Sequence, residues 1–104
     1  MKFGLKQEDL DYIIDAISRF EEIEKAAMFG SRAMGNSKLG SDIDIAIYGD
    51  KVDMNTVAKL KYVLDDESPM PYFFDVVDYT HLHHKGLAEH IERNGIVFYK
   101  RKSK

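Results

Sequence analysis

The chain has no cysteine in its 104 residues. Neither a disulfide framework nor a thiolate metal site can therefore be built, and the composition suits a reducing compartment. No apolar run approaches the roughly 20 residues that span a bilayer. The opening segment MKFGLKQEDL lacks the apolar core of a signal peptide. A soluble, cytoplasmic protein with no membrane partner is expected. Charge of one sign is also scarce: 15 basic residues face 18 acidic ones, a formal net charge of −3. No basic field exists to hold a long polynucleotide, so direct polynucleotide binding is not expected. The basic tail 100-KRKSK-104 reads as a solvated terminus. There is no internal repeat, linker or low-complexity segment. Length sets one domain, residues 1–104, and the 44% hydrophobic and 12% aromatic content can fill a modest core.

What is present is patterned. From Gln7 to Phe20, Leu10, Ile13, Ile14 and Ile17 recur at helical spacing. Lys25 to Phe29 is a short apolar strand that runs into a turn at Gly30. Residues 31–40 carry Ser, Asn, Gly and Lys without period, which predicts a loop opening on a helical turn, with Lys38 simply part of it. Asp42 to Tyr48 alternates: Ile43, Ile45 and Ile47 on one face, Asp42, Asp44 and Ala46 on the other. Asp53 is placed to cap a helix reaching about Leu64, with Met54, Val57, Leu60 and Leu64 inward. Pro69 and Pro71 break the chain. Tyr72 to Asp78, YFFDVVD, is rich in aromatic and β-branched residues and reads as a third strand. Leu87 and Ile91 mark a short helix, with Asn94-Gly95 as its C-terminal cap. Ile96 to Tyr99 is a fourth strand. The order α-β-loop-β-α-β-α-β predicts an α+β domain: a mixed sheet of about four strands with helices packed mainly on one side.

The stretch FGSRAMGNSKLGSDIDIAIYGD, residues 29–50, carries the chemistry. Two carboxylates at i and i+2 of a strand point the same way, their Cβ atoms about 6–7 Å apart. That reach suits hard cations, because Mg²⁺ takes carboxylates together with substrate phosphates. Two such ions about 4 Å apart can clamp an in-line phosphoryl displacement. Alone, Asp42 and Asp44 fit a solvent-facing strand equally well; the preceding Gly-Ser changes the balance. Gly30 permits a tight turn and close backbone approach. Ser31 can then present a hydroxyl and a backbone N–H to an anion. A third carboxylate is expected from Asp75 or Asp78, which an odd offset puts on opposite faces. Asp75 is preferred because it sits deeper in an apolar run, where a lone charge would be costly to bury. Asp78, nearer the strand end, reads as solvated or capping the next segment.

Other motifs fail on spacing. The G-x-x-x-x-G-K-[ST] phosphate loop is absent. A calcium loop counted from Asp42 would need glycine where Ile47 stands. A phosphatase with an aspartyl nucleophile would carry its DxD at the end of a first strand, whereas here the pair begins one.

Gly30-Ser31, ten intervening residues, Asp42-Ile-Asp44-Ile and a later Asp75 resemble the nucleotidyltransferase superfamily related to DNA polymerase β. The fuller run GSRAMGNSKLGSDIDIAI is similar to the minimal nucleotidyltransferases, the MNT family, paired with a HEPN-domain protein in toxin–antitoxin modules. The likeness covers nearly the whole chain, and the joint motif is far more specific than Gly-Ser or DxD alone. It implies that Ser31 holds a triphosphate, with Gly30 making room. It implies that Asp42, Asp44 and Asp75 bind Mg²⁺, two ions in all, and that Asp75 helps deprotonate an attacking hydroxyl. Arg32 could reach phosphate or be an ordinary surface arginine. The implied reaction moves AMP from ATP to a hydroxyl, a tyrosine of the HEPN toxin, and makes the chain an antitoxin in a hetero-oligomer. The alternative is a non-catalytic or nucleotide-binding antitoxin that neutralises its partner by contact. Larger members carry a second domain to cover the base or hold the acceptor; almost nothing here follows the last strand, so a protein partner is expected instead.

His81, His83, His84 and His90 match no usual zinc spacing and read as surface or partner contacts. Tyr72, Phe73, Phe74 and Tyr79 read as packing residues.

Overall fold

Alternation of isoleucine with smaller or charged residues makes a strand two-faced, and β2 (Ile43–Tyr48) is the centre from which the rest is built. In the computed structural model, which describes residues 2–36 and 40–102, Ile43, Ile45 and Ile47 are fully buried. They meet α1 (Gln7–Ser18) through Leu10, Ile13 and Ile17, and α3 (Met54–Tyr62) through Leu60. A π-helical turn, Val63–Glu67, extends α3 and buries Leu64 in the same core. The other strands are β1 (Lys25–Phe29), β3 (Phe74–Asp78) and β4 (Ile96–Lys100). The sheet order is β3-β2-β1-β4. β1 is antiparallel to both β2 and β4, and β3 is parallel to β2. A parallel neighbour needs a long crossover, which α3 and its π-turn provide. This is the α+β mixed sheet that the sequence predicted.

α1 and α3 share one face of the sheet. The opposite face receives α4 (Lys85–Asn94), whose Ile91 seals a smaller core with Phe29 and Ala46, flanked by Tyr48, Val77 and Leu87. Only part of that second face is covered, and the acidic residues lie on it.

Local signals behave largely as read. Asp53 caps α3 by a reciprocal box: its carboxylate accepts from the Thr56 N–H (3.0 Å), while the Thr56 hydroxyl serves the Asp53 N–H. The loop after β1 does open on a helical turn, α2 (Ser31–Met34). Lys38, read as loop, and the end of the basic tail, Ser103 and Lys104, lie outside the described residues. Several boundaries differ. β2 begins at Ile43 rather than Asp42, where the Ile43 N–H finds the Phe73 carbonyl (3.0 Å). β3 begins at Phe74 rather than Tyr72, and α1 stops at Ser18 rather than Phe20. Gly95 donates to the Ile91 carbonyl as a cap does, yet its backbone is extended (φ −67°, ψ 138°). A Cβ there would stand 2.4 Å from the Ile91 oxygen, so close packing rather than a left-handed turn calls for glycine. The sequence pattern also missed the turn Lys2–Gly4, which buries Phe3 in the main core.

Truncation at the centre of the sheet should be felt strongly. Ile45→Ala is expected to lower unfolding free energy by about 2–5 kcal/mol, read from the urea midpoint. Met54, expected to face inward, is instead 87% exposed on the first turn of α3, so Met54→Ala should stay within about 0.5 kcal/mol of the parent.

Candidate active site

The topology decides which side chains meet. Asp44 and Asp75 are each the second residue of their strand, β2 and β3, and the parallel register pairs them directly. Neighbouring strands lie about 4.8 Å apart and paired residues share a face, so the two carboxylates are adjacent. β1 runs the other way, which brings its last residue, Phe29, opposite Asp44. The chain then turns at Gly30 (φ +73°), in the left-handed region that favours glycine. A Cβ on Gly30 would lie 2.2 Å from Asp44 Oδ2. The Gly30-Ser31 turn therefore lies against the Asp44 carboxylate.

Asp42 sits exposed one residue before β2, and its charge acts on Asp44. Asp44 is half-buried, and its carboxyl is pushed above the ordinary range. Burial is the main cause, followed by repulsion from Asp75 and then Asp42, with His90 and Arg32 opposing. Asp75 departs from expectation in one respect. It is exposed rather than buried, because α4 covers the Ala46 end of this face and not the start of β3. Asp78 pairs with Ile47 in register and so lies on the other face. Its carboxylate receives the His81 N–H (3.3 Å) and meets His81 Nδ1 (2.8 Å), the local capping role read for it.

Among the described residues, no three His, Cys, Asp or Glu side chains stand close enough to enclose a metal ion. Asp44 and Asp75 are side by side and Asp42 is within electrostatic reach. This open set of hard oxygen donors carries uncompensated like charge, the donor chemistry a Mg²⁺ ion bound together with a phosphate calls for.

Arg32 is 4% exposed, and its guanidinium is engaged with main chain. Nε and one terminal nitrogen donate to the Ser41 carbonyl (3.1 and 2.7 Å), and the other terminal nitrogen donates to the Phe3 carbonyl (2.9 Å). Its Cζ lies over the Tyr72 ring, 4.8 Å from the ring centre. The surface arginine that the sequence allowed is instead a buried brace on the main chain.

Two further features escaped the sequence. Asp65 Oδ1 accepts from the Phe74 N–H (2.9 Å), while Lys61 donates to Asp65 (2.7 Å) and to the Phe74 carbonyl, so β3 is gripped one residue before Asp75. The four histidines also separate. His84 caps α4 by accepting from the Leu87 N–H (3.0 Å), and His81 holds Asp78. His90 stands part-buried, edge-on to Phe29 with Asn94 on its Nδ1 (3.2 Å), close enough for its charge to act on Asp44. Only the i,i+4 spacing of His90 with Asn94 hinted at a fixed ring.

Comparison with known proteins bears on the fold and the family. No curated protein matches the chain. Among solved structures, a chain of a toxin–antitoxin complex with AMP-PNP superposes with a TM-score of 0.72 at 19% identity, covering 94% of this chain and 76% of that one. A chain of the MntA–HepT toxin–antitoxin complex gives 0.71 at 19%, over 92% and 74%. A chain from the Shewanella oneidensis complex of a tri-AMPylated HEPN toxin with its MNT antitoxin gives 0.70 at 19%, over 93% and 74%. These likenesses concern the fold. The family model described as polymerase beta, nucleotidyltransferase, matches residues 11–104, and the chain belongs to that family.

Proposed function

We propose that the protein is a Mg²⁺-dependent nucleotidyltransferase that moves AMP from ATP to a tyrosine hydroxyl of a partner HEPN toxin, and so acts as its antitoxin. The observation that carries this is the pairing of Asp44 with Asp75 beside the Gly30-Ser31 turn. The same fold occurs in complexes described with AMP-PNP and with an AMPylated HEPN toxin. Among the described residues no helix is long and apolar enough to cross a membrane, consistent with a cytoplasmic partner pair.

In this reading Ser31 holds the triphosphate where Gly30 leaves room for it. Asp42 and Asp44 hold the divalent ions, with Asp75 as the third ligand. When bound there, divalent ions would supply Lewis-acid stabilisation of the charge on the reacting phosphate. The acceptor oxygen attacks the α-phosphorus, a new P–O bond forms, the bond to the β-phosphate oxygen breaks, and pyrophosphate departs. Asp75, exposed at the mouth of the site, takes the proton of the attacking hydroxyl. Such a transfer rests mainly on positioning and charge stabilisation, so a small domain suffices. The second reading is an antitoxin that acts by contact alone. The register that sets Asp44 beside Asp75 speaks against it, since a merely structural face gains nothing from paired like charges.

Three outcomes are expected. With labelled ATP, Mg²⁺ and a HEPN partner, mass spectrometry should find AMP on a tyrosine, and Asp44→Asn should lower the rate about a hundredfold or more while circular dichroism is unchanged. An unaltered rate defeats the enzymatic reading, and full neutralisation by the triple Asp42/Asp44/Asp75→Asn variant establishes contact inhibition. Gly30→Ala should abolish transfer, because the new methyl group takes the place of the Asp44 carboxylate; crystallography should show Asp44 displaced. Finally, Mg²⁺ with ATP should raise the melting temperature. Without divalent ions, Asp44→Asn should melt higher than the parent at pH 7. A carboxyl whose folded pKa is raised costs stability once ionised, and that cost fades as pH falls through the folded value toward the unfolded value of about 4. The two melting curves should therefore converge near that pH, and a constant gap would contradict the assigned repulsion.

A further inference from the structure

Arg32 has three donor contacts and an aromatic shelf, all directed at framework atoms. One contact is singular in its consequence. The Ser41 carbonyl receives two of the donors, and Ser41 is bonded to Asp42. Arg32 itself lies one residue after Ser31, on the short helix α2. A single planar group thus ties the anion-facing turn to the segment that delivers the first carboxylate. Its remaining bond holds the Phe3 carbonyl, in a turn where Phe3 adopts a left-handed backbone (φ +58°) that aromatic residues rarely take. The Tyr72 ring under the guanidinium adds the segment leading into β3.

We infer that Arg32 is a positioning residue of this site. Through the Ser41 carbonyl it fixes Asp42 relative to Gly30-Ser31, and thereby sets the affinity for a divalent cation bound with a nucleoside triphosphate. It does not touch the reacting atoms. The inference rests on the reading under "Proposed function" and adds to it the device that holds the site open at the right spacing. The chemistry requires arginine. Bridging one carbonyl with two N–H groups while stacking on a ring needs a planar fork, which lysine's single ammonium cannot supply.

The test compares the parent, Arg32→Lys and Tyr72→Leu, with Asp44→Asn as the reference for loss of the site itself. Affinity for Mg²⁺ is read, without turnover, from the Mg²⁺ dependence of the thermal shift produced by AMP-PNP; transfer rates are measured in parallel. Arg32→Lys should raise the Mg²⁺ concentration for half-maximal shift by about tenfold to a hundredfold, the range seen when outer-shell partners of metal ligands are lost. Its transfer rate at saturating Mg²⁺ should stay near the parent's. Tyr72→Leu, which removes the shelf and leaves the hydrogen bonds, should shift the same midpoint in the same direction by less. An unchanged Mg²⁺ midpoint in folded Arg32→Lys overturns the inference. So does a lowered affinity for AMP-PNP that persists at saturating Mg²⁺, which would make Arg32 a direct phosphate ligand. Should Arg32→Lys fail to fold, an unchanged midpoint in Tyr72→Leu overturns it instead. If Asp44→Asn behaves as the parent in every measurement, the site reading fails, and that result is separate from any shown by Arg32.

Discussion

The parallel pairing of β2 with β3 is the constraint from which the site follows. Because both strands start at the same end of the sheet, Asp44 and Asp75 become neighbours across one ladder step. Antiparallel pairing would have carried Asp75 away from Asp44 along the sheet. The pairing exists because α3 and its π-turn return the chain to the starting edge, and they do so by burying Leu60 and Leu64 against the isoleucines of β2. Apolar burial on one face thus holds like charges together on the other. The hydrophobic contribution is large and non-directional, while electrostatic repulsion between partly solvated carboxylates is modest. The fold can therefore carry Asp44 beside Asp75, with only His90 and Arg32 partly opposing the repulsion.

The antiparallel partner completes the corner. β1 delivers Phe29 opposite Asp44, and the next residue must turn without a side chain because the carboxylate already occupies that space. Gly30 is thereby fixed by sterics as much as by backbone conformation. Around this corner, main-chain atoms next to two of the three aspartates are gripped by charged side chains: Ser41 by Arg32, and Phe74 by Asp65 with Lys61. Among the described residues, the carboxylates themselves stay largely free of such bonds, which leaves them open to a ligand.

Much of the fold was legible along the chain. The alternation of Ile43, Ile45 and Ile47 gave the buried face of β2, and the stripe of Leu10, Ile13 and Ile17 gave the buried face of α1. Asp53 before its helix gave a cap. These signals are local, because periodicity and capping depend on residues a few positions apart. The site was legible only as a set of candidates. The choice of Asp75 over Asp78 could be made, but the reason offered, burial, is not the one that holds: Asp75 is exposed, and register with Asp44 is what distinguishes it. The burial of Arg32 was hidden for the same reason. Its partners, Ser41 and Phe3, lie 9 and 29 residues away, beyond any local pattern.

Composition and spacing by themselves determined a mixed α+β fold without disulfides, and named Gly30, Ser31, Asp42, Asp44 and Asp75 as the candidates for its chemistry. The tertiary structure alone decided which carboxylates are adjacent, that the arginine beside the turn braces the main chain, and that one of four histidines flanks the site. The division has a physical cause. Side-chain periodicity is written in consecutive residues, whereas strand register and buried hydrogen bonds are settled by the global packing of apolar faces, which no single segment encodes.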